Sequence, residues 1–136
     1  MDLFDAVCLT IWWTEGTKAR IDKRWKNTFN YSVEVTNTDQ EIIKMFLKYL
    51  RERLGVRNEK IKLQLQIHEG DNQKNLEKFW EIETGIPHSQ FNKTIIRPVG
   101  NKIGKSKGTC KIRVYDKKLH LRLIDLLKNI RGVVHR

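Results

Sequence analysis

Ala6-Val-Cys-Leu-Thr-Ile-Trp-Trp-Thr-Glu-Gly16 is an apolar segment that runs straight into an acid and then a glycine. The spacing predicts a helix over residues 2–14. Leu3, Val7 and Ile11 form one apolar stripe, and Leu9, Trp12 and Trp13 are bulky elsewhere, so burial on several sides is expected. Ala6, Thr10 and Thr14 recur at i, i+4, i+8 and put small side chains on an adjacent stripe. A second helix can approach such a stripe closely. Outside membranes a plain core helix uses the same pattern, so both readings stand. Glu15 faces the negative pole of the helix dipole, which disfavours a carboxylate by a few tenths of a kcal/mol, up to ~1. Helix stability therefore does not explain it. A hard divalent cation binds carboxylate oxygen and offsets that penalty, which makes Glu15 a candidate metal ligand.

The chain has 136 residues, the size of one domain with a real core. It carries 27 Lys and Arg against 16 Asp and Glu, a net charge of +11, which suggests a polyanionic partner, nucleic acid before membrane. A merely soluble basic protein has the same balance. Cys8 and Cys110 lie in apolar contexts and form no CxxC pair, so a reducing, cytoplasmic, nucleoid-associated setting is expected. Asp2 and Asp5 stand where a signal peptide has basic residues, and no apolar run approaches a membrane span.

Outward from the first helix, residues 17–37 read as a hairpin, basic at Lys18, Arg20, Lys23, Arg24 and Lys26. Its second strand alternates, with Tyr31, Val33 and Val35 on one face and Ser32, Glu34 and Thr36 on the other. Asp39 caps a predicted helix over 40–54 that stops at Gly55. The cleanest strand is 60–68: Ile61, Leu63, Leu65 and Ile67 point inward, and Lys62, Gln64, Gln66 and His68 point outward. A helix over 72–84 buries Leu76, Phe79 and Trp80. Residues 91–97 form a strand that Pro98 confines to an edge or an end. A basic loop from Gly100 to Gly108 leads to a strand over 109–115, with Cys110, Ile112 and Val114 inward and Lys111, Arg113 and Tyr115 outward. Asp116 starts a last helix with Leu119, Leu123, Ile124, Leu127 and Ile130 as its buried stripe, and residues 131–136 read as a flexible tail. The fold class is α+β, an antiparallel sheet with helices on one face.

The outer sheet face is where polar and basic residues collect. From Gly85 to Tyr115 there is no acid, while Lys93, Arg97, Lys102, Lys105, Lys107, Lys111 and Arg113 accumulate. Lys and Arg neutralise phosphates, and Gln64 and Gln66 can reach base edges. An ordinary solvated strand face uses the same residue types. His68-Glu69 is a possible metal pair with no third ligand in reach by spacing. His88, His120 and His135 are scattered and are expected at the surface.

The segment Cys8 to Gly16 resembles the LAGLIDADG motif of homing endonucleases in its single-motif form. Thr10 and Thr14 stand at the family's small residues, Glu15 at its metal-binding acid and Gly16 at its closing glycine. Val35–Ile43 resembles the end of the family's second strand and the following helix, and Arg113–Leu127 resembles its fourth strand and last helix. The resemblance implies an αββαββα domain with a saddle-shaped antiparallel sheet. It implies a homodimer through Ala6, Thr10 and Thr14. It implies double-stranded DNA as substrate, and Mg2+ or Mn2+ held at Glu15 and Gly16. Asn37 matches a position that orders water. Lys117, or its neighbour Lys118, matches a basic residue that holds transition-state charge. Three features depart from the family pattern. Trp13 replaces the motif's middle acid, Glu15 replaces the commoner Asp, and the 72–84 helix and 100–108 loop interrupt strands that relatives join by a short turn. The expected function is a site-specific, metal-dependent DNA endonuclease. The alternatives are a non-catalytic DNA-binding regulator on the same fold and an RNA-binding intron maturase.

Overall fold

The computed structural model describes residues 1–15, 21–22, 28–29, 31–98 and 107–134. The first helix, α1, spans Leu3–Glu15. Its start is fixed by a reciprocal cap: the Asp5 N–H donates to Asp2 Oδ1 at 2.9 Å and the Asp2 N–H donates to Asp5 Oδ2 at 3.3 Å. Arg53 Nη1 lies 2.7 Å from Asp2 and 3.3 Å from Asp5, tying α1 to the segment after the second helix. The Asp5 amide first, then Arg53, pull the exposed Asp2 carboxyl down to about 2. Asp2 and Asp5 thus cap α1 and anchor it.

Two short strands, β1 (Ile21–Asp22) and β2 (Thr28–Phe29), pair antiparallel, and β3 (Ser32–Asn37) follows. Asp39 then accepts from the Glu41 N–H at 2.9 Å and opens α2, Gln40–Lys48. The expected single helix to Leu54 instead widens into a π turn at Tyr49–Arg53, where the Leu54 N–H reaches back five residues to Tyr49 O. The wider turn keeps both Tyr49 and Leu50 in the core. Gly55, at φ +67°, supplies the left-handed residue that ends it.

β4 (Lys62–His68), α3 (Gln73–Thr84), β5 (Ile95–Arg97), β6 (Thr109–Tyr115) and α4 (Lys117–Val134) complete the chain. The larger sheet has the order β3-β6-β4-β5. β3/β6 and β6/β4 are antiparallel, but β5 runs parallel to β4. The expected all-antiparallel sheet is therefore a mixed one. The reason is α3, a crossover long enough to return the chain to the end of β4 where it started. Pro98 follows β5 at the open edge, as its missing N–H requires.

The inward residues of β3, β4 and β6 meet α1, α2 and α4 in one core that includes Trp12, Phe46, Tyr49, Leu65, Trp80 and Leu123. α3 joins this core through Trp80, whose Nε1–H donates to Lys107 O at 2.7 Å. Arg51 reinforces the junction: its Nη2 donates to Thr84 O at 2.7 Å and to Asn58 Oδ1 at 2.6 Å. α4 continues to Val134, so most of the expected flexible tail is helical. Leu119, Leu123 and Leu127 anchor it, and Gly132 lies in open space where it obstructs nothing. Among the described residues no helix is long and apolar enough to cross a membrane.

Candidate nucleic-acid interface and helix terminus

Only one side of α1 is buried, through Cys8, Leu9 and Trp12. Leu3 is 79% exposed, Val7 38% and Trp13 42%, against the expectation of burial on several sides. At 100° per residue these three share one arc with Ala6, Thr10 and Thr14, roughly a third of the helix circumference. The threonine hydroxyls are turned back onto the helix: Thr10 Oγ1 donates to Ala6 O at 2.8 Å and Thr14 Oγ1 to Thr10 O at 3.0 Å. The arc therefore offers an apolar surface, although its composition is half threonine and alanine. Glu15 ends the same helix and is exposed.

The register of the sheet defines its outer face. Glu34, Arg113 and Lys62 lie in one cross-strand row, and Thr36, Lys111 and Gln64 in the next. Thr109, Gln66 and Ile95 form a third row, followed by the pair His68 and Arg97. Tyr115 stands opposite Ser32 at one end and is exposed. The predicted contacts Lys62, Gln64, Gln66, Lys111 and Arg113 thus share one surface, with Arg97 at its edge. Lys93 and Lys107 are exposed in the flanking loops. Lys18, Arg20, Lys23, Arg24, Lys26, Lys102, Lys105 and Gly16 lie outside the described residues.

Two of these side chains are already engaged. Arg113 Nε sits 2.6 Å from Glu34 Oε1, and its Nη1 donates to the Tyr115 hydroxyl at 2.8 Å. Ser32 Oγ also donates to Glu34 at 2.9 Å. Ser32 and Glu34, expected on a solvated face, are both buried, Glu34 at 6% exposure. Period-2 reading places a residue on a face but cannot show that an ion pair closes over it. Gln64 Nε2 donates to Lys93 O at 2.8 Å, which fixes the loop before β5 and leaves only part of the amide for a ligand. Tyr115 was legible as outward-facing, but its place beside the Arg113 guanidinium, 5.4 Å from the ring, comes from the fold.

His120 is a correction. It is fully buried rather than at the surface. Its Nδ1 lies 3.0 Å from Ser32 O, and its ring meets Trp12 and Tyr31 edge-on at 5.4 and 5.7 Å. Lys117 Nζ lies 5.0 Å from the same Tyr31 ring. Trp12, His120, Tyr31 and Lys117 thus link the last turn of α1 to the first turn of α4. Asn37 ends β3, and its Oδ1 accepts from the Asp39 N–H at 2.8 Å. His88 is exposed, and its Nε2 pairs with Glu77 at 2.9 Å. The His68 N–H donates to Asp71 Oδ2 at 2.9 Å. Among the described residues no three His, Cys, Asp or Glu side chains gather where one ion could bind.

Comparison with protein-family models, curated proteins and solved structures finds no match to this chain. The molecule itself defines an α+β protein whose sheet carries Lys62, Lys111, Arg113 and Arg97 on the face away from the helical core, and whose first helix exposes Leu3, Val7 and Trp13.

Proposed function

We propose that this chain is a single-motif LAGLIDADG-type DNA endonuclease that acts as a homodimer. The observation that carries the reading is α1, which exposes an apolar arc along its length and an acid at its end. An exposed apolar strip on a charged protein calls for a partner surface. A second copy of the helix fits it, and pairing would bring together the two helix ends that carry Glu15, one for each DNA strand. The order α1, β3, α2, β4, β6, α4 supports the reading of an αββαββα domain in part, with α3 and β5 as an insertion, whereas β1 and β2 form a separate two-stranded sheet and not a hairpin with β3.

In this reading duplex DNA lies along the outer sheet face. Lys62, Lys111 and Arg97 meet phosphates, and Gln66 and the free part of Gln64 meet base edges. Glu15 is a hard oxygen donor at the negative end of a helix, a setting that suits Mg2+ or Mn2+. The remaining ligands would be phosphate oxygens and the partner helix. When bound, the metal supplies activation of water and charge for the leaving oxygen. Asn37 keeps its amide NH2 for orienting water, and Lys117 places a cation beside the scissile phosphate. A non-catalytic DNA-binding regulator is the second reading. It is favoured by Trp13, which stands at the motif's middle acid position and packs under Arg131 at 6.0 Å.

The test is Glu15→Gln, assayed on a plasmid library that includes DNA flanking the reading frame, with Mg2+, Mn2+ or EDTA. The endonuclease reading expects metal-dependent cutting by the parent and a loss of several orders of magnitude in the variant, with DNA affinity kept. Cutting that survives the substitution overturns the role of Glu15. No cutting of any site, with DNA binding intact, selects the regulator. Preference for structured intron RNA over duplex selects the maturase.

A further inference from the structure

The helical layer carries a second charged feature, away from the outer sheet face. Between the turn after α2 and the first turns of α4 lie two contiguous grooves of about 220 and 180 Å³, which share Leu54 and Arg122. Arg57, Lys60, Lys118 and Arg122 line the smaller one. One acid, Asp116, lines the groove with them. Asp5 is held by Arg53 at 3.3 Å, and Asp116 accepts from the Leu119 N–H at 3.0 Å and lies 3.8 Å from Lys60. Arg57 reaches the exposed Glu59 at 3.5 Å. Among the described residues Lys118 and Arg122 make no ion pair.

Fold stability does not account for this arrangement. Lys118 and Arg122 are four residues apart on α4, where like charges repel. Lys118 also sits in the first turn, where the helix dipole disfavours a cation. Both side chains are exposed and fill no core space. Lys118 and Arg122, with Arg57 and the Asp116-paired Lys60 beside them in one concavity, suit an anion with several oxygens, since guanidinium groups can fork onto them and lysines add charge. The concavity is smaller than the pocket that swallows a whole drug-sized ligand, so it takes a phosphate group and leaves the rest of the molecule outside. The α4 amides are not needed, because Asp116 already occupies the Leu119 N–H.

We propose that this groove is a phosphate-binding site. The phosphate belongs either to a small phosphate ester or to a nucleic-acid strand crossing the helical layer. The site rests on its own observations and not on the endonuclease reading. The test is an amide-resolved NMR titration of the full chain at constant ionic strength. The probes are inorganic phosphate and a short mixed-sequence single-stranded oligonucleotide, with chloride as the control. Saturable shifts are expected at Gly55, Arg57 and Lys118. The double variant Lys118→Gln, Arg122→Gln should lose at least about tenfold in affinity, and Lys118→Gln alone should lose less. Saturation by inorganic phosphate points to a small ester. Saturation by the oligonucleotide alone points to a strand. Equal shifts with chloride, no saturable shift with either probe, or unchanged affinity in the folded double variant overturns the proposal.

Discussion

Arg113 illustrates how one residue can belong to two accounts. By sequence it is one more cation on a basic face. In the fold it is the counterion of Glu34, a carboxylate at 6% exposure, with the pair closed at 2.6 Å. Removing one partner of a buried pair leaves an uncompensated charge and costs about 3 kcal/mol. Arg113→Ala should therefore shift the urea midpoint well below that of the parent. Lys111→Ala, two residues away on the same face, should leave the midpoint nearly unchanged. Equal midpoints for the two variants would remove the structural role of Arg113 and leave it one more cation on the sheet face. Gly108 is constrained in another way. At φ +87°, a Cβ there would stand 3.0 Å from Ile67 Cγ2 and 3.1 Å from Gln66 O, so only glycine fits where β6 begins against β4.

At the scale of elements, α1 and α3 are each held by a few polar links that weaken in acid. The Asp2 carboxyl is pulled below its usual 3.8 to about 2. A group with a lowered folded pKa contributes stability above its unfolded value and loses it as pH falls through the folded one. The cap on α1 should hold at pH 5 and fade between about pH 4 and 2. The urea midpoint of the parent should fall across that window by more than that of Asp2→Asn, which lacks the contribution throughout. Parallel curves for the two proteins would show that the cap has no linkage to folding. Glu77 on α3 follows the same sign. Burial raises its pKa, but bonds from Thr94, Gln73 and His88 outweigh that, so its folded value is lowered. It holds α3 to the segment before β5 through Thr94 Oγ1 at 2.6 Å, and that tie also weakens in acid.

At the scale of the molecule, the proposed function rests on assembly and charge. If α1 pairs with a second copy, Thr10→Phe adds volume to a close helix contact and should cost ~1–3 kcal/mol of association. Sedimentation should then show the variant dissociating at concentrations where the parent is a dimer. A parent that stays monomeric at tens of micromolar, with and without DNA, rules the pairing out. Duplex affinity should fall steeply with salt, since each neutralised phosphate releases counterions. Lys111→Ala should lower the logarithmic salt slope by about 1, with similar losses on all sequences. A flat salt response in the parent would exclude the sheet face as a phosphate surface.

The sequence determined what local periodicity and caps determine. Alternation in 61–67 and 110–114 placed the inward residues of β4 and β6, and all of those residues are buried. Asp39, Asn72 and Asp116 marked helix starts, and Gly55 marked a helix end, because each supplies a cap or a positive φ within its own segment. Glu15 was legible as an anomaly for the same reason, since a helix dipole is a local property. What depends on partners distant in sequence was decided only by the tertiary structure. The parallel direction of β5 follows from where the α3 crossover returns the chain. The burial of His120 depends on Trp12 and Tyr31, 108 and 89 residues before it. The ion pair that closes over Glu34 depends on a cross-strand neighbour, and the open side of α1 on which three helices reach the sheet. No pattern within one segment encodes those contacts, because each is a free-energy balance struck between segments once they pack.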